Sequence, residues 1–239
     1  MCGRYSLTTP IDALRDLFQI DALPNLPPRY NIAPTQDVLA VRKGPDGGGR
    51  SFTAFRWGLI PSWAKDPAIG GRMINARAET VAEKPAFRAA FRRRRCLIAA
   101  DGFYEWTKDG KGGKQPWRIA LPGGAPFAFA GLWENWLSPD GSEIESCTIV
   151  TTEAADVIAE LHHRMPVILD PADYDRWLTA DTPHPQEATP LMRPYAGALE
   201  FYPVTTLVNN VRNDDPSVLE RAEPVEETPP EPPAQRSLF

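Results

Sequence analysis

Cysteine is scarce in this chain, and the three present are badly placed for cross-linking. Cys2, Cys96 and Cys147 form an odd, widely spaced set among 239 residues, which argues against both a disulfide framework and a zinc knuckle and fits a reducing compartment. Histidine is equally rare, and two of its three copies are adjacent, at positions 162 and 163. Long apolar runs are missing: no stretch nears the ~18 residues of a membrane span. Residues 1–20 also lack a basic segment leading into an apolar core, so no secretory signal is read. These absences predict a soluble, intracellular protein, cytoplasmic and nucleoid-associated if bacterial.

What is present is enough apolar material for a core, 42% of the residues, as one large domain or two small ones. The net charge of −5 hides a segregation. From Arg42 to Arg118 there are 17 Lys and Arg against 7 Asp and Glu, a net of +10, whereas Asn213 to Phe239 holds 7 acidic and 2 basic residues, a net of −5. A basic middle with an acidic end suits a protein that handles nucleic acid, although charge alone does not separate this from an ordinary solvated surface.

Strand-like runs with Gly/Pro turns dominate: DVLAVRK (37–43), RSFTAFR (50–56), CLIAA (96–100), GFYEWT (102–107), PWRIAL (116–121), FAFAGLW (127–133), SCTIVTT (146–152) and ALEFYPV (198–204). Helices are expected at 9–18, with Thr9 as cap and Pro10 in the first turn, and at 84–94, 153–161 and 171–178. Together these predict a single strand-rich α+β domain over residues 1–208. The remainder, 209–239, reads as an acidic, proline-rich disordered tail. It nevertheless closes on the apolar pair of QRSLF, a form suited to a docking peptide.

Several polar residues stand where a core needs none. In GGRMINARAET, Asn75 and Arg77 are two apart, so an extended backbone turns them to one side. Glu105 lies between Tyr104 and Trp106; aromatic flanks would desolvate a carboxylate and raise its pKa, suiting proton transfer, and an outward-facing strand glutamate is the plain alternative. In ELHHRMPVIL one histidine at most faces a site, as general acid/base, as a zinc ligand lacking a second cluster, or as a surface cap. RWGLIPSWAKD interleaves Trp57 and Trp63 with cations, as single-stranded nucleic acid requires, although Trp57 reads better as core. RAAFRRRRC could neutralise phosphates or form a wet helix face. Cys2 follows the initiator methionine directly; if that methionine is trimmed, an α-amine and a thiol are left on one carbon.

In order, MCGRY, RYNIAPTQ, RWGLIPSWAKD, INARAET, FRRRRCLIAADGFYEW and HHRMPVIL resemble the SOS-response-associated peptidase family, whose members process abasic sites and crosslink to DNA. The resemblance runs from Met1 to about residue 208. It implies a barrel-like β core with peripheral helices and a catalytic set of Cys2, Asn75, Glu105 and His162, with His163 at a variable position. It implies single-stranded DNA held by Gly3, Arg4, Trp63 and Arg77, and a thiazolidine formed between Cys2 and the ring-opened sugar without metal or cofactor. Strand cleavage by β-elimination and self-cleavage before Cys2, as a cysteine-peptidase-like hydrolase, follow as further implied activities. QRSLF is similar to the peptide by which bacterial repair proteins bind the replicative sliding clamp, so Gln235, Leu238 and Phe239 would tether a monomer at forks. A peptidase acting on other proteins and a passive single-strand-binding module are the competing functions.

Overall fold

The computed structural model describes residues 2–21, 26–44, 48–108, 113–179 and 185–222. In chain order, β1 (Tyr5–Leu7), α1 (Ile11–Phe18), β2 (Arg29–Ile32), β3 (Asp37–Lys43) and β4 (Arg50–Trp57) lead to β5 (Asn75–Arg77) and α2 (Arg88–Arg93). There follow β6 (Arg95–Ala100), β7 (Gly102–Lys108), β8 (Lys114–Ala120), β9 (Phe127–Leu137) and β10 (Glu143–Glu153). Then come β11 (Arg164–Pro166), β12 (Ile168–Leu169), α3 (Tyr174–Leu178) and β13 (Glu200–Pro203).

Five of the strands close into a ring. β3 pairs with β4 and β6, β6 with β9, and β9 with β10, all antiparallel; a short parallel contact, Ser146 with Arg56 and Cys147 with Trp57, joins β10 back to β4. Closure removes exposed edges. All six residues of β6 are buried, as expected of a strand covered on both faces, which is why it reads as a continuous run and not an alternation. Strand crowding requires Gly131 on β9: a Cβ there would meet Cys96 Sγ at 2.7 Å.

The second sheet runs β13-β8-β7-β1-β2. One residue, Asp101, separates β6 of the ring from β7 of this sheet. Its buried carboxylate accepts from Ser6 Oγ at 2.6 Å, from Thr9 N–H at 2.9 Å and from the N–H of Thr8, and pairs with Arg118 Nη2 at 3.3 Å. Asp101 thus fastens the start of the chain to the crossing of the two sheets. Thr9 is occupied there and does not cap α1; Pro10 fills the N-cap position without a side-chain bond.

Each strand expected from sequence is present, and the strand-rich mixed fold is the observed one. The helices are shorter than expected. The pattern at 153–161 is a 3₁₀ turn at Asp156–Ile158 inside a loop joining β10 to β11, closed by Ala154 N–H donating to His163 O at 3.1 Å. Over 84–94 only Arg88–Arg93 is α-helix, and over 171–178 a 3₁₀ turn precedes α3.

The folded chain also continues beyond residue 208. Asn31 Nδ2 donates to the carbonyls of Val208, Asn210 and Asn213, Asp214 pairs with Arg29, and Val218 is fully buried. The side chains of β2 hold this segment, a long-range match invisible to local composition. Gln235, Leu238, Phe239 and the rest of 223–239 lie outside the described residues. Among the described residues no helix is long and apolar enough to cross a membrane.

Candidate active site

The second residue of the chain is part of the core. Cys2 has no exposed surface, because β1 is threaded between β2 and β7 and draws the preceding residues in with it. Tyr104 N–H donates to Arg4 O at 3.0 Å, continuing that pairing toward the terminus. Asn75 Nδ2 donates to the carbonyl oxygen of Cys2 at 2.8 Å. The Asn75 Oδ1 is buried with no hydrogen-bond partner among the described residues. Glu105, 4% exposed on β7, acts on the same place: burial pushes the Cys2 thiol up, and the charge of Glu105 pushes it further.

Glu105 is itself raised, by burial. The cause differs from the one suggested by its neighbours in sequence. Alternation along β7 sends Tyr104 and Trp106 to a small apolar cluster with Val204, Val208 and Val218, whereas Phe103 lies in the main core with Cys2. Glu105 is therefore desolvated on the Cys2 side, away from its flanking aromatics.

β10 brings Asn75 and the histidines together. Thr151 pairs with Arg77 of β5 along one edge and with Pro166 of β11 along the other. A half-buried cross-brace locks the two flanks: Arg164 donates in bidentate fashion to the exposed Glu79, at 2.6 and 3.1 Å, and to Thr151 O at 2.7 Å. The Arg164 guanidinium holds Glu79 below the usual carboxylate range. Nothing local in sequence marks this pair, whose members lie 85 residues apart.

His162 is half-buried. Its Nδ1 lies 3.0 Å from Arg164 O and 2.9 Å from Arg164 N; donation of Nδ1–H to that carbonyl leaves the lone pair of the neutral ring on Nε2. Burial lowers its pKa. The exposed His163 ring stacks on it at 4.4 Å between centroids.

An open cleft of about 560 Å³ adjoins this cluster, lined by Trp63, Met73, Asn75, Arg77, Lys84 and Phe87 among others. Asn75 and Arg77 do share a side, as their spacing predicts. Trp63 is 59% exposed, whereas Trp57 is fully buried and donates to Ile74 O, anchoring the approach to Asn75. The loop carrying Trp63 leaves β4 at Gly58, whose φ of +128° and near contact with Gly70 exclude a side chain. Gly3 and Arg4 are not in the cleft lining. Arg4 Nη1 donates to Asn31 Oδ1 at 2.7 Å and to Val208 O at 2.8 Å, tying the N-terminal strand to the 204–222 segment. Among the described residues no group of three or more His, Cys, Asp or Glu is arranged to hold a metal ion.

The fold is one already seen in solved structures. A protein of Bacteroides thetaiotaomicron superimposes with a TM-score of 0.79 at 24% identity, over 93% of this chain and all of that one. One from Bordetella bronchiseptica gives 0.71 at 28%, over 85% of this chain and all of that one. The chain belongs to the SOS response associated peptidase family, whose model matches residues 1–211. It is 43% identical to abasic site processing protein YoqW of Bacillus subtilis, over 92% of this chain and 99% of that protein. It is 36% identical to the chicken protein HMCES, over 80% of this chain and 66% of that one.

Proposed function

We propose that this protein captures abasic sites in single-stranded DNA by bonding covalently to the ring-opened sugar through Cys2. The observation that carries the reading is the hydrogen bond from Asn75 to the Cys2 carbonyl, because Asn75 also lines the aromatic and cationic cleft and so joins the buried cysteine to a surface suited to a strand. The names of relatives 43–44% identical over nearly their whole length support abasic DNA as the substrate.

Hydrolytic removal of Met1 frees the Cys2 α-amine, whose pKa near ~8 leaves a reactive neutral fraction at cellular pH. The amine adds to the sugar aldehyde to form a carbinolamine, and loss of water gives an iminium. The thiol sulfur then adds to the same carbon and its proton departs, closing a five-membered thiazolidine; one water is released overall. Both nucleophiles reside on one residue, so the second step is intramolecular.

Glu105 serves both proton transfers. Its raised pKa lets it protonate the leaving hydroxyl, and the resulting carboxylate takes the proton of a thiol that burial keeps from ionising alone. Neutral His162 accepts the sugar hydroxyl proton during ring opening. Asn75 orients Cys2 through Nδ2 and presents Oδ1 to the amine or the sugar. Trp63 stacks on a base while Arg77 and Lys84 meet phosphates. The iminium also permits strand cleavage by β-elimination, and QRSLF would tether the protein to the sliding clamp.

The test is a denaturing gel. Protein incubated with a single-stranded abasic oligonucleotide and boiled in detergent gives a shifted band, absent in Cys2→Ala. A passive binding module gives no such band even with the intact protein. A peptidase acting on other proteins turns over peptide and ignores DNA.

A further inference from the structure

The arginines of RAAFRRRRC are divided by the fold. Arg95 is buried, and its guanidinium donates to the carbonyls of Phe91 at 2.7 Å, Trp177 at 2.5 Å, and Thr179. Arg94 pairs with Glu134 at 2.6 Å and lies over the Trp133 ring. These two hold α2 and α3 to the barrel. Arg88, Arg92 and Arg93 are exposed, and none has an ion pair among the described residues.

The exposed charges are regularly spaced. Lys84 O accepts from Arg88 N–H at 2.9 Å, so Lys84 sits one helical turn before Arg88, and Arg92 follows one turn after. On α2, Arg88 and Arg92 at i and i+4 share one face about 6 Å apart along the axis, and the Lys84–Arg88 bond sets Lys84 in the turn that leads into it. Phe87, Ala90 and Phe91 occupy the opposite, buried face. Lys84 is also a wall residue of the cleft that holds Trp63, Asn75 and Arg77. The row therefore starts inside the cleft and leaves it along the outside of the barrel.

We infer that α2 extends the nucleic-acid track beyond the cleft: Lys84, Arg88 and Arg92 hold successive phosphates of the strand on one side of the damaged nucleotide. A single-sign row at regular intervals fits a linear polyanion. Its continuity with the cleft makes that polyanion the same strand. The inference rests on the function proposed above and names a further stretch of that substrate.

The experiment uses full-length protein and the double variant Arg88→Ala/Arg92→Ala; alanine suits an exposed helix. A Gln pair serves as a second version, and Arg15→Ala/Arg176→Ala, on α1 and α3, is the charge-matched control. Two measurements are made. Affinity for an undamaged single strand is followed against salt, where loss of two phosphate contacts lowers the log–log slope by about 1.4. Crosslinking rates are compared on abasic oligonucleotides extended only 5′ or only 3′ of the lesion. The variant is expected to be slower on one extension and equal to wild type on the other. An unchanged slope, a loss shared equally by both extensions, or the same loss in the control overturns the track. If wild-type protein crosslinks neither oligonucleotide, the proposed function fails, while the salt slope on undamaged strand still decides the track.

Discussion

The carboxamide of Asn75 donates to the carbonyl oxygen of Cys2 at 2.8 Å, across 73 residues of sequence. This bond fixes the backbone of the residue that would react without engaging its thiol. Asn75→Ala removes a bond of about 1 kcal/mol, so single-turnover crosslinking is expected to slow about fivefold with little change in Tm. Asn75→Asp, which sets a carboxylate against a carbonyl oxygen, should slow it more. Equal rates for all three proteins would separate Asn75 from the chemistry.

In the proposed mechanism Glu105 opposes stability and serves reaction. Burial raises its pKa, so the folded protein favours the neutral acid and the ionised form is disfavoured as pH rises above the ordinary carboxylate range. Glu105→Gln is therefore expected to raise Tm at pH 7, where ~1 kcal/mol corresponds to about 2–4 °C in a domain of this size. Crosslinking should fall by about 10²–10⁴ because the proton carrier is gone. Thermal melts and rate measurements on the same preparation read the two opposite effects.

In the proposed mechanism His162 sets the acid limb of the pH profile. Its folded pKa lies below the usual 6.5 because burial disfavours the charged ring, so it is neutral at pH 7 and loses base function only as pH falls below that value. The unfolded chain binds this proton more readily, so the same residue lowers stability as pH drops through the same window. Crosslinking rates between pH 5 and 8 should decline below about 6.5, and His162→Gln should flatten that limb.

Asp101 carries the stability prediction. Removing its carboxylate in Asp101→Ala strips acceptors from Ser6, Thr8 and Thr9 and leaves the Arg118 guanidinium buried beside an empty position. A loss of about 3–5 kcal/mol is expected, read as a lower denaturant midpoint at unchanged m-value. Crosslinking by the residual folded protein should fall too, because Cys2 leads directly into β1.

Much of this was legible in sequence for a specific reason. The eight strand-like runs are local patterns of apolar and β-branched residues, and each became a strand. The pairing of Asn75 with Arg77 on one side followed from the two-residue period alone. β1 was missed because three residues are too few to show a period, and Asn31 because its partners lie about 180 residues away. The 153–161 stretch misled because its apolar spacing serves a hairpin loop whose ends are fixed by the pairing of β10 with β11.

The residue types available for chemistry, and the order in which they occur, are properties of the sequence alone: a cysteine at position 2, a carboxylate among aromatics, two histidines before a proline. Which of them meet was decided only in three dimensions. Ring closure through β10 places Asn75 and His162 on its two flanks, and the threading of β1 draws the chain start beside Glu105. Local patterns encode backbone conformation, whereas the convergence of distant side chains depends on burial and pairing that exist only once the barrel has closed.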